Sequence, residues 1–256
     1  MAESFGEDAE RYDRARPRYP DALIHRIRVA APGPDILDVG CGTGIAARQL
    51  QAAGCRVLGV EPDARMAGVA RGFGLAVEVA TFEEWTPQGR EFDAVTAGQA
   101  WHWIDPVAGA AQAARVLRPG GCLTAFWSAF QLPDEVADAL TAAYVRAVPD
   151  APAHVRAMLK PPLDAYKTVL ATAGEAIVQS GTFGAPEQWR TDWESTYTRD
   201  ALLDQLPTTG LLTRLPARQL APILREVGEA VDALGGAFTM RYATVAITAV
   251  RAGRRA

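Results

Sequence analysis

The chain contains no asparagine and only two lysines, Lys160 and Lys167, so arginine carries almost all of its positive charge. Together with heavy alanine usage, that skew reflects coding bias rather than chemistry. Cysteine is scarce as well. Cys41, Cys55 and Cys122 are odd in number and form no CxxC pair, which argues against a disulfide framework or a cysteine zinc site. Each lies in a strand-like context and reads as a small buried hydrophobe. His25, His102 and His154 stand apart, without metal-ligand spacing. No apolar run reaches the roughly 20 residues of a bilayer span, and the polar, charged opening stretch has no apolar core of a signal peptide. A cytoplasmic protein without a membrane partner is expected. Nor is one sign of charge in excess. With 26 Lys and Arg against 30 Asp and Glu, the net charge of -4 argues against nucleic acid or an anionic surface as the main partner.

What is present is the composition of an ordinary globular protein, 49% hydrophobic and 22% charged over 256 residues, enough chain to bury one sizeable core. The first half alternates short apolar runs with helical patterns. Strands are predicted over 36–39, 57–60, 75–79, 92–96 and 122–127, and helices over 45–53, 64–72 and 106–117. Asp105 caps the last of these helices, Pro106 opens it and Pro119-Gly120-Gly121 stops it. Near-continuous apolar strands separated by such helices imply βαβ units and a parallel sheet covered on both faces. After Trp127 the rhythm becomes helical until about Gly174. Then Trp189, Thr191, Trp193, Ser195 and Tyr197 alternate as one face of a strand, 220–234 is an amphipathic helix, and 238–250 closes the chain as a strand. The expected fold class is α/β: a Rossmann-like, seven-strand, mostly parallel sheet with helices on both faces and a helical lid insertion after strand five. Residues 1–256 are expected to form a single domain, in which 1–30 is an N-terminal lid segment and 131–175 a cap over the acceptor.

The strongest local signal is Asp38-Val39-Gly40-Cys41-Gly42-Thr43-Gly44, which follows the first strand and opens a helix. Glycines there allow a tight turn and a close ligand approach. The loop lies where open α/β sheets bind ligands, and Glu61 falls at the end of the second strand, where a carboxylate accepts both hydroxyls of a ribose. An adenosine-containing ligand follows. A dinucleotide fingerprint needs glycine or alanine three positions after its second glycine, where this chain has Ile45. Asp38 would repel a diphosphate but suits an ammonium. Adenosine joined to an amino acid describes S-adenosyl-L-methionine, with S-adenosyl-L-homocysteine as its product.

The segments ILDVGCGTG (36–44), VLGVEPDARM (57–66), FDAVTAGQAWHWID (92–105) and RVLRPGGCL (115–123) closely resemble class I S-adenosylmethionine-dependent methyltransferases. The opening SFGEDAERYDRARPRYP and the region 193–251 resemble the methyltransferase type 11 branch that includes trans-aconitate methyltransferase-like enzymes. The resemblance spans nearly the whole chain and is weakest over 131–175. It implies that Gly40, Gly42 and Gly44 line the methionine part of the cofactor, with Asp38 near its amino group. Glu61 is implied at the ribose, with Pro62 and Met66 against the adenine. Thr81, Phe82 and Glu83 follow strand three, where the family places an acidic or polar group near the adenine amine; Phe-Glu stands here where many relatives have Asp-Ala. Gln99 and Ala100 would touch the methionine chain. Tyr12, Arg16 and Tyr19 resemble the segment that folds over the ligand, with Arg16 or a tyrosine hydroxyl at the carboxylate.

Trp101-His102-Trp103 follows strand four, beside the expected methyl position, and makes His102 the candidate catalytic base. Its alternative is a packing role. Trp101 and Trp103, at alternate positions of an extended segment, would form one apolar wall or face the sulfonium by cation–π attraction. Arg146, Arg156, Lys160 and Lys167 are candidate partners of an acidic acceptor, or solvated helix faces. The expected activity is methyl transfer to O, N, C or S of a small-molecule acceptor by a monomer or homodimer. The competing readings are a cofactor-binding protein that does not methylate and a nicotinamide-dependent oxidoreductase.

Overall fold

The computed structural model describes residues 6–150 and 166–253. Seven strands form one sheet: β1 (Asp35–Val39), β2 (Arg56–Glu61), β3 (Ala76–Val79), β4 (Phe92–Gly98), β5 (Leu117–Gln131), β6 (Glu187–Thr198) and β7 (Ala237–Val250). Their order is β3-β2-β1-β4-β5-β7-β6. The pairs β1–β2, β2–β3, β1–β4 and β4–β5 are parallel, while β7 runs antiparallel to both β5 and β6. The expected seven-strand, mostly parallel α/β sheet is present.

Helices α1 (Ala9–Ala15) and α2 (Asp21–Ala30) precede the sheet, and α3 (Ile45–Ala52) and α4 (Ala64–Gly72) connect β1 to β2 and β2 to β3. The other helices are α5 (Pro106–Val116), α6 (Asp134–Ala147), α7 (Lys167–Gln179), α8 (Arg199–Gln205) and α9 (Ala217–Ala233). Ile27, Ala47, Leu50 and Ala70, on α2 to α4, bury against Ile36, Ala94 and Phe126 on one face of the sheet. On the other face Ala113, Val116, Leu170 and Ile177, on α5 and α7, bury against Leu37, Val95 and Leu123. Apolar side chains on both faces explain why these strands read as continuous hydrophobic runs. All three cysteines are free and buried, as their contexts suggested.

Strand β5 is much longer than the apolar run that announced it. Pro119-Gly120-Gly121 ends the helix but not the sheet. The Gly120 N–H donates to Arg251 O at 3.1 Å and the Arg251 N–H to Gly121 O at 2.7 Å, so the irregular stretch is held by the end of β7. Beyond β4, strands β5, β7 and β6 continue together and carry a third apolar cluster with α6, α8 and α9, centred on Val136, Leu202, Ile223, Val227 and Met240. The alternation read in 189–197 is that of β6, with Trp189 and Tyr197 buried and Arg190, Asp192 and Glu194 exposed. Part of 131–175, with Arg156 and Lys160, lies outside the described residues. Among the described residues no helix is long and apolar enough to cross a membrane, and no group of His, Cys, Asp or Glu is placed to hold a metal ion.

Candidate functional site

The carboxyl ends of β1, β2 and β4 bring the sequence candidates together. The chain leaves β1 through three left-handed glycines, with φ of +61° at Gly40, +56° at Gly42 and +86° at Gly44. L-residues reach that region only with strain. At Gly40 a Cβ would also stand 2.5 Å from the Cβ of Ala100, whereas at Gly42 it would meet only the Met66 terminal methyl, at 3.5 Å. Gly40 is therefore needed for packing between the β1 and β4 ends. Gly42 leaves room above the loop.

Glu61 holds this loop from β2. Its carboxylate accepts from the Gly42 N–H at 2.9 Å and from the Asp63 N–H at 3.0 Å. Burial pushes its pKa up, and the two backbone donors pull it back. Each carboxylate oxygen retains a lone pair for a hydroxyl donor. Asp63 caps α4 and pairs with Arg65 at 2.7 Å.

Asp38, at the end of β1, is 1% exposed. The Thr96 hydroxyl on β4 donates to it at 2.8 Å. Burial pushes its pKa from 3.8 to about 7; the Thr96 bond opposes the shift and the nearby Glu61 charge adds to it. Among the described residues no cation enters this balance. A buried carboxylate so placed favours a cationic ligand group.

The remaining candidates divide. Met66 is buried under the loop and Pro62 is exposed beside it. Thr81 is exposed, while Phe82 is buried with its ring centroid 6.5 Å from that of Trp101. Glu83 is exposed and accepts from the Asp105 N–H at 3.0 Å, which engages it at the start of α5. Gln99 has φ +56° and donates from its backbone to Phe126 O at 2.8 Å and from its side chain to Ser128 O at 3.0 Å.

The N-terminal segment crosses this region. The Tyr19 ring packs edge-on against Phe126 at 4.7 Å, and its hydroxyl lies 2.9 Å from the place a Cβ on Gly98 would take. Burial pushes the Tyr19 hydroxyl pKa well up, and Asp38 is among the charges that add to it. Arg16 donates to Thr208 O at 2.6 Å and lies over the Tyr12 ring at 5.0 Å, while its Nε is buried without a hydrogen-bond partner among the described residues. Helix α1 is tied at both ends of the site. Asp13 pairs with Arg48 of α3 at 2.6 Å, and Arg11 and Arg14 each pair with Asp204 of α8 at 2.9 Å.

Residues 101–103 form a tight 3-10 turn rather than an extended segment, so the two tryptophans do not share a wall. Trp101 is 2% exposed and Trp103 42%. His102 is exposed between them, and its Nδ1 accepts from the Trp127 indole N–H at 3.0 Å. Burial of part of the ring lowers its pKa. Arg146 pairs with Glu226 on α9, so this candidate partner of an acidic acceptor is already engaged. Three side chains at the site went unread in the sequence. Thr96 and Trp127 lie within apolar strands and looked like core, and Tyr166, whose hydroxyl donates to Gln99 Oε1 at 3.2 Å, carries no local signal.

The profile of a family described as "Methyltransferase domain" matches residues 37–125, which span the sheet from β1 to β5 and the whole glycine loop. An uncharacterized methyltransferase of Mycobacterium tuberculosis is 40% identical over 131 residues, 50% of this chain and 53% of that protein. A ubiquinone biosynthesis O-methyltransferase of Aromatoleum aromaticum is 37% identical over 97 residues, 35% of this chain and 42% of that protein. The chain thus spans about half the length of the curated relatives it matches. A solved chain from Anaeromyxobacter dehalogenans, described as a type II methyltransferase, aligns over 93% of this chain and 97% of its own length, with a TM-score of 0.65 and 27% identity. The glycine loop and strand order described above, with this match, make residues 37–125 a methyltransferase domain.

Proposed function

We propose that the protein binds S-adenosyl-L-methionine across the ends of β1, β2 and β4 and catalyses methyl transfer to a small-molecule acceptor. The observation that carries this reading is Asp38, a buried carboxylate with no cationic partner among the described residues, beside a glycine loop whose Gly42 N–H donates to Glu61. Asp38 would take the ammonium group, Gly40, Gly42 and Gly44 the methionine part, and Glu61 the ribose hydroxyls. Pro62 and Met66 would flank the adenine, with Thr81, Phe82 and Glu83 at its far edge. Gln99 and Ala100 would follow the methionine chain. Tyr12, Arg16 and Tyr19 would cover it, the buried Nε of Arg16, unpartnered among the described residues, being a donor for a carboxylate. When bound, the cofactor supplies a methyl group already activated on a sulfonium, so the protein's task is alignment and exclusion of water.

A single domain acting in the cytoplasm, as a monomer or homodimer, without nucleic acid or membrane, fits this reading. Within it, 1–30 would cover the cofactor and 131–175 would help to select the acceptor. The test is calorimetric titration of the chain with S-adenosylhomocysteine, with NAD as control. Micromolar binding of the first alone supports the assignment; binding of NAD instead would overturn it. Release of S-adenosylhomocysteine on adding candidate acceptors separates methylation from cofactor binding alone.

A further inference from the structure

Trp127 is fully buried on β5, yet its indole N–H is spent on a side chain rather than on the backbone. That N–H can only donate, so the Nδ1 of His102 that it meets must present a lone pair. The neutral imidazole then carries its proton on Nε2. Trp127 has little freedom to turn elsewhere. Its ring stacks on Tyr166 with centroids 6.0 Å apart and planes 24° apart, and the Tyr166 hydroxyl is tied to Gln99, which is itself bonded to Phe126 and Ser128. The far nitrogen of His102 has no hydrogen-bond partner among the described residues, and the residue is exposed after the end of β4.

We infer that Trp127 is a positioning residue that holds His102 in the Nε2–H tautomer, so that the imidazole offers the acceptor a hydrogen-bond donor rather than a base. A base at Nε2 needs the opposite tautomer, which would set an N–H of the imidazole against the N–H of Trp127. The chemical consequence rests on the methyl-transfer reading. The acceptor must be a good nucleophile at neutral pH without giving up a proton first, as an ionised oxygen or an uncharged amine is and a neutral alcohol is not. Its lone pair forms the bond to the methyl carbon, the carbon–sulfur bond breaks with its electrons left on sulfur, and no proton passes to His102; any proton left on a methylated amine passes to water. The Nε2–H would instead orient an oxygen or nitrogen of the acceptor.

The test is a long-range 1H–15N correlation spectrum of the 15N-labelled full chain at pH 8, where a histidine of ordinary or lowered pKa is uncharged. The chain has three histidines, and His102 is assigned by the signals lost in H102A. The expected pattern for His102 is protonated Nε2 and unprotonated Nδ1, with the Trp127 indole proton shifted in H102A. In W127F the two nitrogen shifts should move toward each other as the Nδ1–H form becomes populated. A protonated Nδ1 in the unaltered protein, an indole signal unmoved in H102A, or a W127F pattern superimposable on the original would overturn the inference. If W127F does not fold, the first two measurements decide. None of them needs cofactor or acceptor, so failure here is distinguishable from failure of the methyl-transfer reading.

Discussion

Strands β3, β2, β1 and β4 are 4, 6, 5 and 7 residues long, whereas β5, β7 and β6 are 15, 14 and 12. At roughly 3.3 Å per residue the second group is on average about two and a half times the length of the first. In the short half the strands stop early, and their ends present backbone and charge: three left-handed glycines, Asp38 and Glu61. In the long half the strands continue as an antiparallel wall whose buried polar groups satisfy one another. Thr124 meets Thr248 at 2.9 Å, Ser128 meets Thr244 at 2.8 Å, and Tyr197 meets Tyr242 at 2.7 Å. Unspent charge marks the half suited to a charged ligand. Paired hydroxyls, with the apolar cluster of α6, α8 and α9, mark the half that works as scaffold.

Asp38→Asn should break this contrast most strongly. Its pKa in the fold is raised, from 3.8 to about 7, so the native state holds the proton more tightly than the unfolded chain. Stability is therefore lost as pH rises from about 4 to about 7, by an amount on the order of 4 kcal/mol for a shift of this size. Thermal melts of Asp38→Asn should lack that decline and exceed the unaltered protein at pH 8. Cofactor binding should change in the opposite sense. Affinity of the unaltered protein for S-adenosylhomocysteine should climb up to about pH 7 and then level, and Asp38→Asn should bind weakly at every pH. Melts of the two proteins that run parallel from pH 4 to 8 would mean that Asp38 is not the strained carboxylate.

Glu61→Ala comes next. It removes the acceptor for the Gly42 and Asp63 N–H groups and, in the proposed complex, the ribose partner. Binding should weaken by about 1–3 kcal/mol, read as a change in calorimetric Kd. An unchanged Kd in a folded variant would move the cofactor site elsewhere.

The same contrast governs how much the sequence disclosed. The loop from Asp38 to Gly44 and the acid at Glu61 were legible because their chemistry is local: positive φ demands glycine, and a strand end is marked by the turn after it. The mostly parallel α/β sheet followed from the alternation of apolar runs and helices; its strand order came from the structure. What stayed hidden depends on contacts between distant segments. The full extent of β5 depends on pairing with β7, Gln131 lying opposite Arg241, and nothing in 128–131 announces it. The turn at 101–103 looked extended because Trp-His-Trp has no strong helical preference, and there tertiary packing of Trp101 decides. The Trp127–His102 bond joins residues 25 apart in sequence, one of which looked like ordinary core.

Within the long half, Tyr197→Phe should cost about 1–3 kcal/mol in stability, because it leaves the Tyr242 hydroxyl buried with its partner gone. Denaturant melts measure the loss. The affinity for S-adenosylhomocysteine should stay the same, since the pair belongs to the scaffold. A weakened Kd with unchanged stability would reverse that assignment and bring the tyrosines into the site.

The smallest effect is expected where the halves are joined. Asp204 on α8 receives both Arg11 and Arg14 of α1, while Asp13 on the same helix pairs with Arg48 of α3. The side chain of Asp204 is 30% exposed and that of Arg14 63%, so water and salt screen much of the attraction. Asp204→Asn should therefore cost less than about 1 kcal/mol of stability, and less still at high salt. Its diagnostic effect is on binding. If α1 closes over the cofactor because α8 holds it there, Asp204→Asn should raise the Kd for S-adenosylhomocysteine at low salt, and added salt should erase the difference between the two proteins. Equal Kd values at low salt would mean that Asp13 and Arg48 position α1 from the short half alone, and that the long half takes no part in holding the cofactor.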